Sequence, residues 1–301
     1  MADSGGSLPV FYETPSGLTV KRLQPSIGAQ VAGAELGGPI PGDVARDIRQ
    51  ALVDHGVIFL RGQALNYRQH LALARIFGEP HVEGFLPDTP EVMPLISDAA
   101  STNPAGGHWH SDGTYYDIAP AVSILRMLKA PPLGGDTCFA SAAAVYADLP
   151  DELKARIAPL RARASMSHIR TVKGLKDEGA TYIGRTGEDV ERGWAEHPVV
   201  RVHPENGRPV LYVNEVHTQE IVGLDAQESA ALLKDLTDRF LRAEYQMRWQ
   251  WLDHDIAIWD NRQVQHYAVA NEAGPRHVER IMVTGTPSLG LADTRALVAA
   301  E

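Results

Sequence analysis

The sequence predicts a β-rich α+β fold, an antiparallel β core with helices packed around it. Three observations lead there. Short apolar runs and alternating segments outnumber helical stretches along the chain. The helical stretches arrive in blocks and do not alternate one for one with strands, as a doubly wound parallel sheet would require. An Asn206-Gly207 pair also stands between two β-rich runs, a strong hairpin signal.

Taken in order, residues 1–16 read as a polar, flexible leader, leaving 17–301 as a single domain. The length of 301 residues permits one large domain or two, and no linker, repeat or low-complexity block divides the chain. Apolar and polar residues alternate over 18–23 and 29–36, which predicts two strands. Pro41-Gly42-Asp43 opens a helix over 44–54. The run 57–60 is a short buried strand after Gly56. In 67–77, Leu71, Leu73, Ala74 and Phe77 recur at helical spacing until Gly78 ends the segment. Residues 92–96, 123–129 and 137–140 read as strands, followed by a helical stretch over 141–157. Residues 197–203 and 209–213 flank the Asn-Gly turn, 226–241 is a helix, and 246–252, 256–259 and 278–284 close the chain as strands.

Composition narrows the function classes. Lys and Arg number 28 against 38 Asp and Glu, for a net charge of −10. That leaves no basic face to neutralise phosphates, so nucleic acid is not an expected partner. Hydrophobic residues at 44% and charged ones at 22% exclude wholesale disorder. No apolar stretch approaches the ~20 residues of a membrane span, and the start lacks a basic segment followed by an apolar one, so neither a membrane nor a secretory route is expected. The single Cys138 cannot form an internal disulfide, which fits a reducing cytoplasm.

The chemistry is sought among the 12 histidines, because nucleophile-elbow, Walker and dinucleotide-binding patterns are absent. Cys138, inside a β-rich run, reads as a packed side chain. Gly107-His108-Trp109-His110-Ser111-Asp112-Gly113 contains an H-x-D pair. On a strand, side chains two apart share a face, so His110 and Asp112 can offer an imidazole and a carboxylate to one metal ion. His266 is the expected third ligand, with His108 an alternative partner. Two histidines and one carboxylate form the facial triad of non-haem iron(II) oxygenases, which leaves positions open for substrate and O2. An isolated H-x-D arises by chance in many proteins; here the downstream order adds weight. Arg276 and Arg280 follow His266, four residues apart, and a guanidinium near such a metal can clamp a carboxylate in bidentate fashion.

These motifs resemble the taurine/2-oxoglutarate dioxygenase family. The resemblance rests on His110-x-Asp112, Gly134-Gly135-Asp136-Thr137, Trp259-Asp260-Asn261-Arg262, His266 and the Arg276/Arg280 pair. Residues 27–34 and His197-Pro198-Val199-Val200-Arg201 add to it. It runs in order from about residue 18 to residue 287, and it implies a double-stranded β-helix, or jelly-roll, core. It further implies Fe(II) on His110, Asp112 and His266, with 2-oxoglutarate and O2 as cosubstrates and Thr137 and Arg276 on the far carboxylate of 2-oxoglutarate. Arg280 would face a substrate anion or lie nearer the cosubstrate. Glu83, Leu86, Gly106 and His217 depart from the taurine pattern, so a small anionic substrate other than taurine is expected, with Phe85, Tyr115, Val216 and His217 as walls. The implied reaction is hydroxylation of a sulfonate, sulfate ester or carboxylate with release of succinate and CO2. Oxidative tailoring of a natural-product acid and a non-redox jelly-roll hydrolase are the alternatives. A homo-dimer or homo-tetramer is expected.

Overall fold

The computed structural model describes residues 8–97, 107–166 and 192–300. Strands β1 (Phe11–Glu13), β2 (Thr19–Arg22) and β3 (Ala29–Ala32) lead into helix α1 (Gly42–His55), strand β4 (Val57–Leu60), helix α2 (Tyr67–Arg75) and β5 (Met93–Ser97). Next come β6 (Val122–Lys129), β7 (Thr137–Ser141), helices α3 (Ala142–Ala147) and α4 (Asp151–Ile157), and β8 (Arg161–Ser165). Strands β9 (Trp194–Pro198), β10 (Val200–Val202), β11 (Pro209–Leu211) and β12 (Thr218–Ile221) precede helix α5 (Ala226–Asp238). The chain ends with β13 (Gln246–Trp249), β14 (Ile256–Asp260), β15 (Val264–Ala268), β16 (Arg276–Val283) and helix α6 (Leu291–Ala300).

Eight strands form one sheet in the order β1-β2-β3-β4-β14-β6-β16-β5. Its pairs are antiparallel except β3 with β4. A second sheet, β13-β7-β15, is also antiparallel. Strand alternation explains how the two sheets share a core. Val57 and Phe59 of β4, Leu125 and Met127 of β6 and Ala257 and Trp259 of β14 pack with Phe139, Met247, Trp249 and Val264 of the smaller sheet. The alternate residues, Ile58, Leu60, Ile124, Ile256 and Ile258, face the other way. They pack with Ile48, Ala51 and Leu52 of α1 and Leu71, Leu73 and Ala74 of α2. The central strands are therefore covered on both faces, which is why 57–60 and 256–259 are continuous apolar runs and not alternating ones. A third cluster joins α3, α4 and α5 to the short sheets β12-β8-β9 and β10-β11.

Several expectations change. Within the expected leader, Phe11–Glu13 forms an edge strand on β2, and Tyr12 places its hydroxyl 2.9 Å from His55 Nε2. The stretch 141–157 is two helices, because Pro150 has no N–H to donate and holds extended geometry before α4. The hairpin expected at Asn206-Gly207 does form, with β10 antiparallel to β11 across a loop over 203–208. His203 Nδ1 there accepts the Glu205 and Asn206 N–H groups, so a side chain organises the connection. Strands β8, β12 and β15 and helix α6 add to the expected elements. Among the described residues, no helix is long and apolar enough to cross a membrane.

Candidate active site

The metal-competent triad forms between an irregular segment and a regular strand. His266 lies on β15 opposite Phe139 of β7. His110 bridges to it, with His266 N–H donating to His110 O at 2.8 Å and His110 N–H to His266 O at 3.1 Å. Asp112 belongs to a turn and not to a strand, so strand alternation is not what aligns the H-x-D pair. The turn does, and the potential ligand atoms of His110, Asp112 and His266 all lie within 4.8 Å of one another. His108 points elsewhere: its Nδ1 lies 3.3 Å from Glu215, while its carbonyl accepts from His110 Nδ1 at 2.7 Å. That bond fixes the His110 tautomer, with Nδ1 as the protonated nitrogen and Nε2 as the one a metal would take.

Electrostatics favour metal binding. Burial pushes His266 down to about 3, so its ring is neutral. Burial opposes ionisation of Asp112, but the Arg280 guanidinium and the Ser123 hydroxyl overcome it and hold the carboxyl well below the usual range. Arg280 Nη1 donates to Asp112 Oδ1 at 2.6 Å, and Ser123 Oγ donates to Oδ2 at 2.8 Å. Two imidazoles and one carboxylate, with no thiolate, suit Fe(II).

The triad opens on a cavity of about 320 Å³. Arg276 and Arg280 of β16, Thr137 and Phe139 of β7, and Trp251, Tyr115, Tyr116, Val216 and His217 all line it. Burial lowers the Arg276 pKa, with Glu272 acting in the opposite sense. Its Nε has no hydrogen-bond partner among the described residues, which is what a site awaiting an anion should look like. Thr137 Oγ accepts from Trp251 Nε1 at 3.0 Å, so its own hydrogen is directed elsewhere. Gly134 and Gly135 let the chain ahead of Thr137 pass close to Asn271 and Arg276. Both have positive φ, and a Cβ on Gly134 would sit 2.2 Å from Asn271 O, closer than any real contact. Together Arg276 and Thr137 fit the far carboxylate of a 2-oxo diacid.

The expected substrate residues divide. Glu83, Phe85, Tyr115, Val216 and His217 line the cavity. The Tyr115 ring lies 4.4 Å from Tyr116 and 5.2 Å from His217, and burial keeps its phenol protonated. Glu83 is close enough to Arg280 to favour its charged form, after the larger influence of Asp112. Leu86 is a correction: it packs against the core under α1 and α2 and is not among the residues around the cavity. The loop after Glu83 is irregular, so sequence offset does not fix the direction of its side chains. Gly106 lies outside the described residues. Trp251 and Ser123 were not anticipated. Trp251 closes the expected strand 246–252, but only the packed structure brings its N–H to Thr137.

A family model described as "Taurine catabolism dioxygenase TauD, TfdA family" matches residues 19–282. The chain belongs to this family. Among its relatives is an alkylsulfatase of Acinetobacter baylyi, 32% identical over 296 residues, covering 94% of this chain and 90% of the relative. An alpha-ketoglutarate-dependent sulfate ester dioxygenase of Pseudomonas putida is 33% identical over 277 residues, covering 91% of this chain and 92% of that one. The crystal structure of a taurine dioxygenase from Burkholderia xenovorans superimposes with a TM-score of 0.77 at 32% identity, covering 92% of this chain and 94% of that chain. Fe(II), 2-oxoglutarate (alpha-ketoglutarate) and O2 are accordingly the cofactor and cosubstrates of this family member, and His110, Asp112 and His266 meet the chemical demands of the metal.

Proposed function

We propose that the chain oxidises a small anionic organic molecule, a sulfonate, sulfate ester or carboxylate other than taurine, while converting 2-oxoglutarate to succinate and CO2. One observation carries the reading. A single cavity holds a two-histidine, one-carboxylate triad together with a buried guanidinium whose Nε has no partner among the described residues. A metallohydrolase has no use for a dicarboxylate clamp beside its metal.

The bound Fe(II) and its 2-oxo acid supply the O2-activating, oxidative chemistry. The protein does the rest. His110, Asp112 and His266 would hold the metal at the wall of the cavity. Arg276 and the Thr137 hydroxyl hold the far carboxylate of 2-oxoglutarate. Arg280, anchored on Asp112, places a second cation at the metal, where it meets the acid group of the substrate. Tyr115, Val216, His217 and Phe85 wall the substrate end, and Phe139 and Trp259 close the opposite side against water. Glu83 in the same space repels the acid group of the substrate unless the substrate also carries a cationic or hydroxyl group for it to hold. The two facing sheets are read as a double-stranded β-helix. With Cys138 its sole cysteine, the protein is assigned to the reducing cytoplasm, as a homo-dimer or homo-tetramer that light scattering distinguishes.

The test has two parts. Adding Fe(II) and 2-oxoglutarate without O2 should produce a weak visible charge-transfer band. In air, a panel of alkyl sulfates, sulfonates and aryloxyalkanoates should release succinate in proportion to substrate consumed, and matched neutral analogues should not. Absence of the band would retire the cosubstrate assignment; equal turnover of neutral analogues would retire the anionic substrate class.

A further inference from the structure

The Asp260-Asn261-Arg262 segment has no part in the roles described so far. Its geometry points to Asn261 as the positioning residue for the metal ligand Asp112, an inference resting on the metal assignment above. The need for such a residue follows from the fold. His266 is held by a strand and His110 by its bridge to that strand, but Asp112 lies in a turn, where no ladder fixes its backbone.

Asn261 supplies the fixation with one side chain. Its Oδ1 accepts the Asp112 N–H at 2.7 Å. Its Nδ2 donates to the Asp112 carbonyl at 2.8 Å and to the Pro120 carbonyl at 3.0 Å. The amide thus pairs with both backbone groups of the ligand residue and ties them to the segment entering β6. Its own N–H donates to Ala121 O at 2.9 Å. The same strand, β6, carries Ser123, whose hydroxyl holds the second carboxylate oxygen of Asp112. Backbone and side chain of the ligand are therefore referenced to one strand pair, β6 with β14.

The flanking residues anchor the amide in turn. Asp260 is fully buried and accepts from Arg262 Nε at 2.8 Å and Nη2 at 2.7 Å, with His203 Nε2 at 2.8 Å. Arg262 N–H also closes on Asp260 Oδ1 at 3.0 Å. This turn is rigid at the point from which Asn261 projects. A hydrophobic residue at 261 could fill the volume but would leave three backbone groups without partners. Aspartate keeps the shape and the acceptor, and presents a carboxylate to two carbonyl oxygens.

The experiment compares Asn261→Asp with wild type and with Asn261→Ser, which retains one donor. Co(II) and Mn(II) binding is titrated on the folded proteins, with circular dichroism and thermal melts in parallel. Orientation of an outer-shell partner typically governs 10–100-fold in metal affinity. Asn261→Asp should weaken binding within that range and alter the Co(II) absorption spectrum, with Asn261→Ser intermediate. The same metal affinity and Co(II) spectrum as wild type in the two variants, whatever their melting temperatures, would overturn the proposal and leave Asn261 a general stabiliser. If Asn261→Asp does not fold, Asn261→Ser carries the decision by the same two readouts.

Discussion

Replacing Arg276 by methionine should separate cosubstrate binding from folding. The guanidinium is buried, with relative exposure of 9%, and burial already lowers its pKa. Its Nε lacks a partner among the described residues. In the free protein this cation is therefore held at a desolvation cost that its surroundings do not fully offset. Methionine spans a similar length and removes that cost, so the thermal midpoint of the free protein should hold or rise. The cosubstrate responds in the opposite direction. Breaking a buried, charge-paired contact costs about 2–5 kcal/mol. At 1.4 kcal/mol per decade, this is roughly a 30-fold to several-thousand-fold loss of affinity. Steady-state succinate release gives the KM for 2-oxoglutarate, and anaerobic titration of the charge-transfer band gives the Kd. A KM within threefold of wild type, with an unchanged Kd, would refute the reasoning and make Arg276 a structural cation.

Thr137→Val should raise the 2-oxoglutarate KM by about 1 kcal/mol, roughly fivefold, because one hydrogen bond is lost; Trp251→Phe should move the same parameter in the same direction, since it frees the Thr137 hydroxyl to rotate. His110→Ala and His266→Ala should each abolish turnover with fold retained by circular dichroism, whereas His108→Ala, which removes a ring aimed at Glu215 and keeps the carbonyl that holds His110, should keep most activity at saturating iron. Arg280→Lys should raise the substrate KM by about 1.5–3 kcal/mol, roughly 10- to 150-fold, because a point charge cannot span Asp112 and a substrate anion as a planar fork does; an unchanged KM would place Arg280 with the cosubstrate. Stability should fall in acid. Burial holds His70 at about 3 and His197 at about 4, against about 6.5 in the unfolded chain. Between these values the unfolded state binds more protons, so stability is fully present above pH 6.5 and declines as pH drops. Two such groups give about 4 kcal/mol of loss between pH 7.5 and pH 5, measurable as urea midpoints; a flat profile over that range would contradict the neutral, buried assignment of both rings.

The sequence by itself determined the elements whose pattern is local. The apolar runs at 57–60 and 256–259 announced strands, α1 followed from the Pro41-Gly42-Asp43 start, and α2 from helical spacing ended at Gly78. It also carried the identities of the triad and of Arg276 and Arg280, because chemistry restricts which residue types can serve and the order along the chain narrows which copies do. Tertiary structure decided everything that depends on direction. H-x-D was read as two positions on a strand face, yet Asp112 sits in a turn and reaches the metal site because Asn261, far away in sequence, holds its backbone. Thr137 receives its bond from Trp251, 114 residues away in the chain. Leu86 went the other way: the resemblance matched it to a substrate-side position, and the irregular loop packs it, partly buried, against the core. Periodicity encodes the facing of a side chain only where the backbone is regular. Active-site turns are irregular, and their orientation is set by hydrogen bonds from residues distant in sequence, whose partners no local pattern can specify.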